Sequence, residues 1–276
     1  MSVKIVVDST VDLVPEVKAQ VKTVALSVLF GEQEYKDGVT IDPMKFYEML
    51  ASCENLPTTS QPTPAAFEDA YRELVEAGHE VVCITIGSKL SGTYQSATIA
   101  ADEFPGKVFV VDSRSAAIGA GILAEWALKL AEEGKNGQEI LEALMEKRKE
   151  IRLYAMVDTL ENLKKGGRLS STVAFVGGVL NLKPIICLEE GEIKVVGKAR
   201  GQKAAFTALT KACQEAGVNT EEPYMLGYTG CSDENLAKYM DENADLWPAH
   251  SKKTIIGSAI GTHAGPGAVA MAFFAK

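Results

Sequence analysis

The sequence predicts an α/β fold in two lobes, a parallel-sheet N-terminal domain with helices on both faces and a smaller α+β C-terminal domain, with a ligand at their interface. Three observations lead there. Apolar runs rich in Val and Ile alternate with stretches of helical spacing through the first half. The second half opens on two strand-like runs joined by a short turn. Four segments rich in Gly, Ser, Thr and Pro each adjoin a strand pattern, which is where α/β proteins place ligands.

In the first half, Lys4–Val7, Thr23–Leu29, Val81–Ile86, Val108–Val111 and Leu153–Val157 have the composition of strands. Pro43–Ala51, Pro64–Glu76, Ala116–Glu132 and Gln138–Arg152 have helical spacing, with Pro at a first turn and Gly78 and Gly134 as terminators. In the second half, Lys183–Leu188 and Glu192–Lys198 flank the turn residues Glu189, Glu190 and Gly191 and form a predicted hairpin. Helix-like Gly201–Ala216, strand-like Tyr224–Tyr228, helix-like Asp233–Asn243 and strand-like Thr254–Ala259 follow, then the apolar segment Ala268–Ala275. The boundary is placed near residues 152–165, dividing the chain into 1–157 and 158–276. The stretch from Ser171 to Leu182 is apolar around most of its circumference and interrupted by Gly177 and Gly178. It is read either as a core helix between the lobes or as a wall of a greasy cavity.

At 276 residues the chain buries enough surface to fold without a staple or a metal. Its five cysteines are scattered with no C-x-x-C pair, so they are read as free thiols of a reducing cytoplasm. No stretch approaches the roughly 18 apolar residues of a membrane span, and the first residues run into a strand pattern without a signal-peptide core, so a soluble cytoplasmic protein is expected. A formal charge of −9 offers nothing to a polyanion, and nucleic acid is not an expected partner.

The four candidate segments are Thr58–Pro64, Gly87–Thr93, Lys198–Lys203 and Gly261–Gly267. In the second, a strand ending at Ile86 leads into a helix beginning near Ser91 or Gly92. Unpaired amides and the positive end of a helix dipole then face the sheet edge, and Gly92 leaves room for an anion. The plainer alternative makes Ser91 a cap of its own helix. Pro62 and Pro64 stiffen the first segment around the hydroxyls of Thr59 and Ser60. His263 lies among glycines and a proline and offers an imidazole donor, and Arg200 follows an apolar strand at a sheet edge. Asp8 and Asp12 flank Ser9 and Thr10 in a strand-to-helix turn and are read as caps.

Several motifs fail on context. Gly119–Ala124 matches G-x-G-x-x-A but falls inside a helical stretch, well beyond its strand. There is no G-x-S-x-G elbow and no phosphate-binding G-x-x-x-x-G-K-[ST] loop; Lys164–Arg168 reads as a helix C-terminus with Gly as its cap. No metal or cofactor is expected.

Taken together, Asp8–Leu13, Thr59–Pro62, Leu90–Ala97, Val111–Ser113, Leu160–Ser170, Asn181–Ile185, Lys198–Arg200 and His263–Gly267 give the chain a resemblance, over essentially its whole length, to the DegV family. These are bacterial fatty-acid-binding proteins that include the FakB subunits of fatty acid kinase. Thr63 and Ala264 stand where members of that family often carry Ser and Thr. The resemblance implies a long-chain fatty acid such as palmitate, its carboxylate held by Thr59, by Ser91 with the Gly92 amide, and near Arg200 and His263, with Ser60, Thr93 and Phe175 as pocket neighbours. It implies a lipid-binding protein, not an enzyme, that presents the carboxylate to a separate ATP-dependent kinase subunit for conversion to acyl phosphate, in the service of phospholipid synthesis. Residues 1–157 would hold the headgroup, residues 158–276 would close the acyl-chain tunnel, and transient membrane contact would exchange lipid. Two alternatives stand beside it: a stand-alone acyl hydrolase or transferase using Ser91 and His263, and a carrier of another amphipathic carboxylate.

Overall fold

A computed structural model describes residues 2–169 and 181–276; most of the apolar segment 171–182, including Phe175, lies outside the described residues. The first half runs β1 (Val3–Asp8), α1 (Pro15–Lys18), β2 (Lys22–Val24), β3 (Ser27–Phe30), β4 (Gln33–Lys36), α2 (Pro43–Ser52), β5 (Thr58–Ser60), α3 (Pro64–Glu76), β6 (Glu80–Thr85), α4 (Thr93–Ala101), β7 (Val108–Asp112), α5 (Ala117–Glu132) and α6 (Gly137–Lys147). The second half runs β8 (Ile151–Met156), α7 (Glu161–Lys165), β9 (Leu182–Glu189), β10 (Glu192–Arg200), α8 (Gln202–Glu215), β11 (Met225–Tyr228), α9 (Glu234–Glu242), β12 (Lys253–Ile255), α10 (Ser258–Ala264) and β13 (Val269–Phe274).

Among the described residues these strands form three sheets. The first is parallel throughout, in the order β2-β1-β6-β7. Its central strands β1 and β6 are buried on both faces, which is why they read as continuous Val and Ile runs instead of alternating ones. Phe67, Tyr71, Ala97 and Ala100 of α3 and α4 pack one face, and Ile118, Ile122, Ile140 and Leu144 of α5 and α6 pack the other. The second sheet, β10-β9-β8-β13-β11-β12, is mixed, with α8 and α9 on its outer face around Phe206, Leu209, Tyr239, Trp247 and Phe273.

Helix α5 lies between the two large sheets. One hydrophobic cluster joins Val7 and Ile84 of the first sheet, Ile118 and Ile122 of α5, and Ala272 and Phe274 of the second. Ala117 through Glu125 are consequently buried without interruption, and a helix covered on all sides needs no polar face. Strand β8 enters the second sheet at residue 151, pairing with β9 and β13, so the chain passes between lobes ahead of residue 157.

Local chemistry moved three boundaries away from the sequence expectation. Thr23–Leu29 is two strands. The Leu26 amide donates to Ser9 Oγ at 3.0 Å and its carbonyl accepts from Asp37 N at 2.9 Å, so the chain leaves the parallel sheet there and β3 joins a third sheet, β4-β3-β5. The helix opened by the Asn136/Glu139 capping box stops at Lys147; a 3-10 turn follows, and Ile151 and Arg152 already belong to β8. The expected strand Thr254–Ala259 ends at Ile255, because buried carboxyl groups take the amides of Gly257 and Ser258 and start α10.

Glycine spacing inside α5 follows from this packing. A Cβ on Gly121 would fall on the Asp12 carbonyl oxygen, where the loop after β1 crosses the helix. Helix propensity alone favours Gly121→Ala by about 1 kcal/mol, whereas displacing a backbone carbonyl in a close-packed core costs about 1–3 kcal/mol. Gly121→Ala is therefore expected to lower the urea midpoint; an unchanged or raised midpoint would show that the helix and loop are not in contact.

Candidate functional site

Between the inner face of β8, β9 and β13 and the carboxyl ends of β1 and β6 lies a cavity, part of it open at the mouth. Leu153 and Ala155 of β8, with Val157 just beyond it, run along it, joined by Ile186, Leu188, Ile193 and Ala270, with Ile86, Ala117 and Ile256 opposite. The walls are almost wholly aliphatic, with a few polar groups among them, the composition of a small-molecule site. Polar groups gather at the end where β8 passes into α7.

Thr59, Ser91, Arg168 and His263 all line that end. Thr59 is the inward residue of β5, between the exposed Thr58 and Ser60, and its Oγ1 lies 2.9 Å from His263 Nε2. His263 sits in the last turn of α10, not in a loop. Gly261 lets that helix pack against Phe46 and Tyr47 of α2, and Gly265, at φ +72°, ends it.

Helix α10 is held from its start by carboxylates. Asp12 Oδ1 accepts from Gly257 N at 2.8 Å, and the two oxygens of Asp37 accept from Ser258 N and Ala259 N at 3.0 and 3.3 Å. Asp8 accepts from Thr10 and, at 2.7 Å, from Ile86 N, tying β1 to β6. These aspartates bridge distant segments, a role beyond capping the turn that contains two of them. Burial pushes the pKa values of all three up, to about 6 for Asp8, against the hydrogen bonds that favour the charged form.

Ser91 Oγ accepts from Thr93 N at 3.3 Å and lies 2.8 Å from the buried Thr93 Oγ1. Capping and cavity lining thus coincide: when Thr93 donates, the Ser91 proton is left for a ligand oxygen. Arg168 follows α7 across Gly167, at φ +72°, and its guanidinium donates to the Leu90 carbonyl at 3.1 Å and the Gly166 carbonyl at 2.5 Å. Burial, reinforced by the Arg168 charge, pushes the His263 pKa down to about 4, so the ring is neutral at pH 7. Its Nδ1 is buried with no hydrogen-bond partner among the described residues. A neutral ring, two hydroxyls and a guanidinium at the end of a dry cavity can receive a carboxylate.

Not every sequence candidate joins them. Gly92 is the residue before α4, and the Gln61 carboxamide, which donates to Ser96 Oγ at 2.9 Å, covers the space a Cβ would need there. Ser60 faces a neighbouring groove. Arg200 is exposed at the end of β10 and does not line the cavity. The cation at the head is Arg168, within the segment read as an ordinary helix end; its signal was the Gly166-Gly167 pair, which turns the next side chain back across the loop. Asp37 and Gln61 carried no comparable signal. Among the described residues no three His, Cys, Asp or Glu side chains converge on a metal position, and no helix is long and apolar enough to cross a membrane.

A model for a family described as an uncharacterised protein, DegV family, matches residues 2–276. A DegV domain-containing protein of Deinococcus radiodurans is 36% identical over 279 residues, covering 99% of this chain and 98% of its own. Among solved structures, one describing fatty acid binding of a DegV family protein from Thermus thermophilus is similar with a TM-score of 0.89 at 34% identity, covering 100% of both chains. A stearic acid-binding protein from Eubacterium ventriosum is similar with a TM-score of 0.84 at 29% identity, covering 99% of this chain and 98% of its own.

The environment of His263 sets a pH dependence. The unfolded ring takes a proton near pH 6.5 while the folded ring resists it down to about 4. At this ring the unfolded state therefore binds more protons in that window, and the ring's contribution to stability is lost as pH falls through it, by on the order of 3 kcal/mol at most. NMR titration of the His263 ring in the ligand-free protein is expected to show a midpoint near 4, and His263→Gln to remove the ring's loss of stability from that part of the profile. A midpoint near 6.5 would place the ring in solvent.

Proposed function

The chain belongs to the DegV family, and on that premise we propose that it carries a long-chain fatty acid such as palmitate and presents the carboxylate to a separate ATP-dependent kinase subunit, which converts it to acyl phosphate. One observation carries the reading: a cavity walled almost wholly by aliphatic side chains ends at Thr59, Ser91, Arg168 and His263. Similar chains described as fatty-acid-binding support it.

Energetics assign separate tasks to the two ends. Each methylene taken from water contributes about 0.8 kcal/mol, so a sixteen-carbon chain supplies roughly 10 kcal/mol. Tail burial dominates affinity, and the polar cluster fixes which end faces out. An adjoining groove shares Thr59, Arg168 and His263 with the cavity and adds Asn162 and Lys165, giving a carboxylate at this junction a second open side. Residues 1–157 contribute Thr59 and Ser91, residues 158–276 contribute Arg168 and His263, and the lipid lies where the two meet. Such a protein acts in the cytoplasm, meets the membrane transiently to exchange lipid, and needs no cofactor of its own.

The hydrolase alternative would pair Ser91 with His263. The partnered nitrogen of His263 instead meets Thr59, and Ser91 meets Thr93, so no observation favours that chemistry.

Thr59→Ala and Ser91→Ala each remove a donor worth about 1 kcal/mol, and Arg168→Met a charged one worth about 2. Palmitate affinity, read by displacement of a fluorescent fatty acid, is expected to fall about fivefold in the first two and more than tenfold in the third, at an unchanged unfolding midpoint. Arg200→Ala, at an exposed position that does not line the cavity, is expected to leave retention unchanged. Wild-type affinity in all three cavity variants would remove the carboxylate from this cluster.

A further inference from the structure

Cationic side chains converge on a second groove, where the six-stranded sheet ends beside the first turn of α5. Arg114, Arg148, Lys149 and Arg152 line it with Ser115 and Tyr154. On a chain of formal charge −9, four cations in one groove reverse the local sign.

Two of the four are already matched. Arg114 meets Glu190 at 3.0 Å and Lys149 meets Glu146 at 2.6 Å, while Glu189, the other carboxylate on the groove, is taken by Lys194. Asp112, close by, accepts from Ser88 and from the Arg114 amide. Arg148 and Arg152 use their hydrogens on backbone carbonyls instead: Arg148 on Asp112, Arg152 on Lys149 and Ile151. Among the described residues neither forms an ion pair with a carboxylate.

Arg148 is only 9% exposed and Ser115 only 2%. Arg148 Nε and Ser115 Oγ are both buried without a hydrogen-bond partner among the described residues. Burial first, and the Arg114 charge second, push the Arg148 pKa down. A cation held where desolvation and a like charge both oppose it is stabilised by any anion that reaches it. Helix α5, of sixteen residues, directs the positive end of its dipole to the same side and starts from Ala116, which supplies no side-chain cap.

We infer that this groove binds a phosphate group, with Arg148 and Arg152 as its guanidinium partners and Ser115 as a hydroxyl donor. Two unmatched guanidinium charges suit the roughly two negative charges of a phosphate monoester, and the planar fork of each takes two of its oxygens. The phosphate could belong to a soluble ester or a lipid headgroup. The inference is independent of the fatty-acid reading, since this groove meets the apolar cavity only at Cys187 and Leu188.

Two measurements on the full chain test it at low ionic strength, where phosphate contacts are least screened. Calorimetric titration with inorganic phosphate reads the soluble arm, and co-sedimentation with phosphatidylcholine vesicles carrying phosphatidic acid reads the headgroup arm. Saturable binding in either arm, weakened at least about tenfold by Arg152→Met and by Arg148→Met but not by Lys211→Met on the exposed face of α8, supports the site and identifies its source. Arg152→Met, at a half-buried position, keeps the test valid where Arg148→Met fails to fold. Absence of saturable binding in both arms, or equal binding by Arg152→Met and the wild type, would overturn it. Palmitate affinity is expected to stay unchanged in Arg152→Met, which separates this outcome from failure of the carrier reading.

Discussion

The grip of two buried carboxylates on three consecutive backbone amides fixes the head of the cavity. Asp12 and Asp37 come from loops near the N-terminus, yet they hold Gly257, Ser258 and Ala259, where α10 begins. That helix carries His263 to Thr59 and, through Gly261, seats against α2. These carboxyl oxygens, accepting from backbone amides, join segments more than two hundred residues apart in sequence. Without them the ring would have no fixed place at the mouth of the cavity.

The same frame explains the separation of dry and polar surface. Aliphatic residues of β8 and β9 face inward along the slot, and each donor at its end belongs to a different element: β5, the loop before α4, the turn after α7, and α10. Convergence of separate elements at a sheet edge is the usual way an α/β scaffold builds a site, because the loops there are free to vary while the strands are not. His263 stays neutral beside Arg168, so among the described residues lining the head the guanidinium carries the positive charge and the ring adds none. A carboxylate entering this place meets a cation and donors already positioned, at little reorganisation cost.

Much of this was legible in the sequence, for identifiable reasons. Parallel strands buried on both faces announce themselves as Val and Ile runs, and Pro64–Glu76 reads as a helix from its Pro to its last residue. Thr59, Ser91 and His263 stood out because each sits in a segment too rich in Gly, Ser, Thr or Pro for an ordinary helix or strand. Long-range side-chain-to-backbone bonds were not legible. Nothing near Asp37 shows that its partner is Ser258, nothing near Leu26 shows that Ser9 takes its amide, and so β3 and α10 were misread. Arg168 and Arg200 are each one cation after a regular element; only the fold shows that the first turns back toward Leu90 while the second stays in solvent.

Mass spectrometry of the purified protein, intact and after extraction into organic solvent, tests the central claim most directly. One long-chain carboxylic acid per chain, lost on extraction and restored by added palmitate, is the expected result. An extract free of such acids, from a folded protein that also fails to take up palmitate, would contradict it.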